Sequence, residues 1–203
     1  MLELREVKVS RGVLRGERGR EASDLPDRYR GERLVRKEEF IAPGVPTALI
    51  ERRGLSPCPE ATNLVCAEIE KDGRKHLLIP EAAAAWKQLR PSAQKEGIEI
   101  YIVSAYRSIF RQAEIIRSKI LAGQSIEKIL MVCAPPGYSE HHSGRAVDLA
   151  TPGVKRLELD FENSAAFRWL HENAQNFGYT LSYPRGNSKG YAYEPWHWCY
   201  SFT

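Results

Sequence analysis

Five histidines occur among the 203 residues, and three of them lie in two short, unusual strings that also hold acidic residues. His141 and His142 lie in S-E-H-H-S-G-R-A-V-D, Ser139 to Asp148, and His197 lies in E-P-W-H-W, Glu194 to Trp198. His141, Asp148 and His197 together make a two-nitrogen, one-oxygen ligand set. Such a set leaves the fourth tetrahedral position of Zn²⁺ to water, which is the arrangement of a catalytic rather than a structural site. Glu194, three residues before His197, then supplies a carboxylate base. Each residue alone has a plainer reading: a surface aspartate, a satisfied histidine, a glutamate in a Glu-Pro loop. Their flanks give the group its specificity.

The local elements must aim these atoms at one point. Gly144 permits a turn directly after His141, and Arg145 to Leu149 alternates like a strand, which puts Ala146 and Asp148 on one face and Arg145 and Val147 on the other. The small Ala146 leaves space for an ion beside Asp148. Pro195 breaks a strand ladder just before Trp196, so Glu194 can turn toward the site that His197 faces. His142 points away if His141 points in. Cys199, two positions past His197, shares its face and is an alternative soft ligand. Trp196 and Trp198 take the opposite face, as core or as a wall around the metal.

Around these strings the pattern is α+β, strands and helices without a regular βαβ rhythm. Pro80 opens a helix that Gly97 stops and that Pro91 should kink or divide. Ile98 to Ser104 reads as a buried strand. A helix runs from Ile109 to Leu121 and stops at Gly123, and a short one follows from Ser125. Asn163 or Ser164 caps a helix to Phe177, ended by Gly178. Two more strands are expected at Thr180 to Tyr183 and Trp196 to Phe202. Upstream, Leu2 to Val9 alternates like an edge strand, and residues 1–40 mix eleven basic with nine acidic side chains. The region 1–77 therefore reads as a charged, loosely structured arm with two short strands, and within it Phe40 to Glu51, with Pro43 and Pro46, reads as an extended segment. The catalytic domain is expected over 78–203.

Composition narrows the class. A hydrophobic share of 42% with mean hydropathy −0.45 supplies a core and excludes a wholly disordered chain. A net charge of +4 and a pI near 8.9 fall short of the clustered excess that nucleic-acid binding needs. No run approaches the ~18 apolar residues of a membrane span, and residues 1–40 hold no secretory apolar region. The chain as written thus reads as cytoplasmic, or as periplasmic or envelope-bound if a leader is missing. Cys58, Cys66, Cys133 and Cys199 form no CxxC pair and no disulfide framework, and are expected to be small buried hydrophobes.

From about residue 78 onward the sequence resembles a family. The Ser139 to Asp148 string, the E-P-W-H string, the upstream SAYRS at Ser104 to Ser108 with Gln112 following, and YPRG at Tyr183 to Gly186 look like the VanY-type D-alanyl-D-alanine carboxypeptidases. These belong to the zinc peptidase group that also holds D-Ala-D-Ala dipeptidases and L,D-carboxypeptidases. The resemblance implies a small, mainly antiparallel sheet with helices packed on it and one Zn²⁺ on the sheet, in the hedgehog/DD-peptidase manner. It implies His141, Asp148 and His197 as ligands and Glu194 as base. Arg107 becomes the candidate to steady the developing oxyanion or hold the substrate carbonyl, and Ser139, Gln112 and Tyr183 become candidate substrate-pocket residues. The expected reaction is removal of the last D-alanine from a peptidoglycan stem peptide or precursor. L,D-carboxypeptidase or endopeptidase cleavage and a catalytically silent zinc-binding module are the alternatives.

Overall fold

The computed structural model describes residues 45–201, and these form an α+β body of two small antiparallel sheets with helices packed on them. The readings for Leu2 to Val9 and for most of the charged arm lie outside the described residues. In chain order come α1 (Thr47–Arg52), β1 (Val65–Ile69), β2 (Lys75–Leu78), α2 (Pro80–Lys95), β3 (Tyr101–Ser104), α3 (Ile109–Leu121) and α4 (Ile126–Val132). A 3-10 turn at Glu140–Ser143, then β4 (Ala146–Ala150), α5 (Ala165–Asn173), β5 (Tyr179–Leu181) and β6 (His197–Tyr200), complete the site-bearing half. The larger sheet has the order β3-β4-β6-β5.

One face of that sheet makes the core. Ile102, Val147, Leu149 and Trp198 pack there against Trp86 and Leu89 of α2 and Ala166 and Leu170 of α5. The opposite face carries the polar side chains. Directly opposed residues of an antiparallel pair share a face, and Asp148 stands opposite His197 on one side and Ser104 on the other. In a regular strand Ile102 and Ser104 would point the same way. The register shift between them turns Ser104 out of the core and onto Asp148's face. This irregularity delivers the Ser104 to Arg107 segment to the site.

Four sequence expectations are corrected. Pro91 does not divide α2, which runs unbroken from Pro80 to Lys95, its apolar side held by Trp86, Leu89 and Ala93. The helix expected up to Phe177 is α-helical only to Asn173 and tightens to a 3-10 turn before Gly178. The strand expected over Ile98 to Ser104 begins only at Tyr101. Where the expected extended segment Phe40 to Glu51 is described, its last five residues belong to the helix Thr47–Arg52, because Leu49 and Ile50 bury themselves against Ile116 of α3 and Ile129 and Leu130 of α4. Burial of two adjacent large side chains at one helical turn outweighs the extended bias of the prolines. The expected junction at residue 78 runs through β2, whose partner β1 also packs on α2. The Asp72-Gly73 pair at the tip of this hairpin is its sequence signal.

Candidate metal centre and active site

The 3-10 turn at Glu140–Ser143 is the pivot of the site. With about three residues per turn, successive side chains diverge by roughly 120°, so three neighbours serve three directions. His141 turns to Asp148, with Nε2 at 3.2 Å from Oδ2. His142 turns away, its Nδ1 at 2.6 Å from the Arg107 carbonyl while its Nε2 accepts from the Gly137 amide at 3.1 Å. Glu140 turns to His197, with Oε2 at 3.1 Å from Nε2. Gly144 closes the turn with φ 65, where a Cβ would meet Leu64 Cδ2 at 2.8 Å. Both the positive φ and the close approach require glycine there.

His141, Asp148 and His197 come together, each buried, with one ligand atom apiece lying within 4.8 Å of the others. His197 Nδ1 stands 3.1 Å from Asp148 Oδ1. The Nδ1–H of His141 donates to the Ala105 carbonyl at 2.7 Å, which leaves its Nε2 free to face Asp148. Burial would raise the Asp148 carboxyl, but the two histidines facing it hold it well below the usual carboxylate range. Burial lowers His141. His197 is buried as well, yet Asp148 and Glu140 on either side push it up to about 10. Once His197 gives up its Nδ1 proton, the two imidazole nitrogens and the Asp148 carboxylate leave one net negative charge and three donor atoms at a buried point, which a cation would accept.

Glu194 lies on the rim, its Oε2 3.8 Å from His197 Nδ1. Burial first, with the neighbouring Asp148 and Glu140 carboxylates, raises its carboxyl to about 7. A base tuned to that range is well matched to proton transfer near neutrality. Arg107 closes the other side, with Nη2 at 3.7 Å from Asp148 Oδ2 and 3.2 Å from Ser104 Oγ. Gln112 is buried and does not face the cluster directly: its Oε1 accepts from Arg107 Nη1 at 2.9 Å, and its Nε2 donates to the Ala134 carbonyl at 2.6 Å. It fixes the guanidinium. Ser139 is buried where the 3-10 turn begins. The ring of Tyr183 packs 4.6 Å from that of His197 and 4.9 Å from that of Tyr191.

Cys199 shares His197's sheet face as expected, but among the described residues the ligand cluster holds only His141, Asp148 and His197. Its thiol stands 3.7 Å from the Tyr200 carbonyl, and burial pushes its pKa up, away from the thiolate that metals prefer. Trp198 is core, with its indole N–H donating to the Pro195 carbonyl at 3.0 Å, and Trp196 packs against the same core.

Sequence reasoning missed several residues that shape this site. Glu140 and Lys189 are the first, paired at 2.9 Å. An acidic residue directly before a ligand histidine was the available signal for Glu140; nothing local marked Lys189. The second is a strap at residues 53–61. Arg53 Nη1 donates to the Leu130 carbonyl at 2.7 Å, the Cys58 amide to the Gly137 carbonyl at 2.7 Å, and the Ala61 amide to the His142 carbonyl at 2.8 Å. The Glu60 carboxylate accepts from the Ile109 amide at the start of α3. Leu55, Pro57 and Cys58 of this strap wall a cavity of about 200 Å³ whose other sides are Tyr138, Tyr183 and Lys189.

Residues 75–202 match the family model of VanY, D-alanyl-D-alanine carboxypeptidase. YodJ of Bacillus subtilis (strain 168) is 35% identical over 147 residues, which are 68% of this chain and 53% of YodJ. A D-alanyl-D-alanine carboxypeptidase of Enterococcus faecalis (strain ATCC 700802 / V583) is 30% identical over 124 residues, 56% of this chain and 44% of that protein. The chain thus spans about half the length of these curated relatives. Among solved structures, the LdcB LD-carboxypeptidase superposes with TM-score 0.62 at 33% identity, covering 70% of this chain and 69% of its own. A variant of the vancomycin-resistance D,D-pentapeptidase VanY in complex with Zn(II) gives TM-score 0.56 at 26% identity, covering 71% and 83%. The strap at residues 53–61 precedes the matched region, whereas the ligand cluster, Glu194 and Arg107 all fall inside it. From residue 75 onward, this chain belongs to the VanY family of D-alanyl-D-alanine carboxypeptidases.

Proposed function

We propose that the protein is a zinc-dependent carboxypeptidase that removes the C-terminal D-alanine from peptidoglycan stem peptides. The observation that carries this reading is the buried cluster of His141, Asp148 and His197 with Glu194 and Arg107 on its rim. The donor set fits zinc: two imidazole nitrogens and a carboxylate oxygen, with an acceptor fixing the free nitrogen of each histidine. Zinc held there supplies a Lewis acid for the scissile carbonyl and lowers the pKa of water toward ~7. Glu194 takes the proton from the attacking water and passes it to the leaving amine. Arg107, kept in place by Gln112 and Ser104, meets the negative charge that grows on the carbonyl oxygen. Ser139 and Tyr183 shape the space for the substrate's end. The presence of a tuned base beside three ligands weighs against a catalytically silent binding module.

The test is digestion of stem peptides of different lengths, read by mass spectrometry. A pentapeptide ending in D-Ala-D-Ala should lose one D-alanine, and amidation of its terminal carboxylate should abolish cleavage. A pocket built for a free C-terminus matches the carboxylate's charge with donors, and an amide in that place removes the charge. Efficient cleavage of the amidated peptide would overturn the carboxypeptidase assignment. A second reading, cleavage between an L and a D residue, is favoured by the likeness to the LdcB LD-carboxypeptidase; preference for a tetrapeptide ending in a single D-alanine would select it.

A further inference from the structure

The two ligand histidines present opposite nitrogens to the cluster. His141 offers Nε2 and keeps its proton on Nδ1, where the Ala105 carbonyl accepts it at 2.7 Å. His197 offers Nδ1, which stands 3.1 Å from Asp148 Oδ1, so as a neutral ligand its proton sits on Nε2. That nitrogen lies 3.1 Å from Glu140 Oε2. The acceptors therefore differ in kind: a neutral carbonyl for one histidine and a carboxylate for the other.

We infer that Glu140 is a positioning residue for the metal centre, a carboxylate that fixes the tautomer and ring angle of His197 and strengthens it as a metal ligand. The assignment rests on the zinc reading above. Three further observations support the assignment. Its other oxygen, Oε1, is tied to Lys189 Nζ at 2.9 Å, so the carboxylate is held from both ends. The Tyr183 ring packs 4.6 Å from the imidazole it orients and limits that ring's rotation. Finally, Glu140 and His141 are adjacent on one 3-10 turn, so the segment that supplies one ligand also orients the other across the sheet. A carboxylate accepting from a ligand imidazole raises the basicity of the coordinating nitrogen, and loss of such a partner typically weakens metal affinity 10- to 100-fold.

The experiment compares zinc affinity, by competition with a chromogenic chelator, in wild type, Glu140→Gln, Glu140→Ala and Lys189→Met. Melting of each metal-free protein is followed in parallel. Glu140→Gln keeps the shape and an acceptor oxygen but removes the charge; its zinc Kd should rise roughly tenfold, and that of Glu140→Ala up to about 100-fold. Zinc should also leave both variants faster. Lys189→Met, which keeps the carboxylate and loses only its tether, should stay within about threefold of wild type, well below the 10- to 100-fold range for losing the partner itself. Wild-type zinc Kd in both Glu140 variants would overturn the assignment and leave the zinc centre standing. A wild-type protein that binds no zinc would overturn the centre and this assignment together.

Discussion

Zinc binding should displace a countable number of protons, and the site's electrostatics set the number. In the metal-free protein Asp148 is held ionised by His141 and His197, and burial keeps His141 neutral, so neither contributes. His197, pushed up to about 10 by Asp148 and Glu140, is protonated on both nitrogens at neutral pH and must lose the Nδ1 proton to ligate. Glu194, raised to about 7, is half protonated at pH 7, and a divalent cation nearby will ionise it. The count worked from these side chains is about one and a half protons released per zinc at pH 7, falling to about one at pH 8, beside any proton given up by a water on the metal. The sign follows from His197: below its raised pKa protons compete with the metal, so the apparent zinc affinity should rise about tenfold per pH unit between 7 and 9. Titration calorimetry in buffers of different ionisation enthalpy reads the proton number directly. Glu194→Gln should lower the count at pH 7 by about half a proton. A release near zero, or an affinity unchanged from pH 7 to 9, would refute the electrostatic picture of His197.

Other substitutions separate roles within the site. Glu194→Gln should keep zinc and fold while turnover falls by about 100-fold or more, the usual scale for a general base; steady-state kinetics beside metal analysis checks this. Arg107→Ala should lower kcat more than it raises KM, because the guanidinium meets charge that is larger in the transition state; a rise in KM alone would make it a clamp for the substrate carboxylate. His142→Ala leaves the Gly137 amide and the Arg107 carbonyl without their shared partner. It should cost about 2 kcal/mol or more in denaturant unfolding while zinc stoichiometry stays at one. Trp86, 1% exposed and bonded through its indole to buried Glu68 at 3.0 Å, should cost about 3–5 kcal/mol as Trp86→Ala.

Residue type and short spacing alone pick out His141, Asp148, His197 and Glu194, the four side chains that the fold brings together. His141 to Asp148 spans one turn and one strand, and a strand's period of two already puts Ala146 and Asp148 on a common face. Most helices were legible for the same local reason: apolar spacing marks α3, and Ser125 and Ser164 start α4 and α5, which they cap through their own hydroxyls. Tertiary structure decided whatever depended on a distant neighbour. Thr47–Arg52 is a helix because α3 and α4 offer an apolar surface to Leu49 and Ile50. The change of face between Ile102 and Ser104 exists only in the pairing of β3 with β4. Glu140 finds His197 57 residues away, and Lys189 finds Glu140 across 49. The strap from Arg53 to Ala61 becomes a wall of the site only through hydrogen bonds to residues 49 and more positions further on. Periodicity and capping act within a few residues along the chain, whereas these contacts arise from sheet register and core packing.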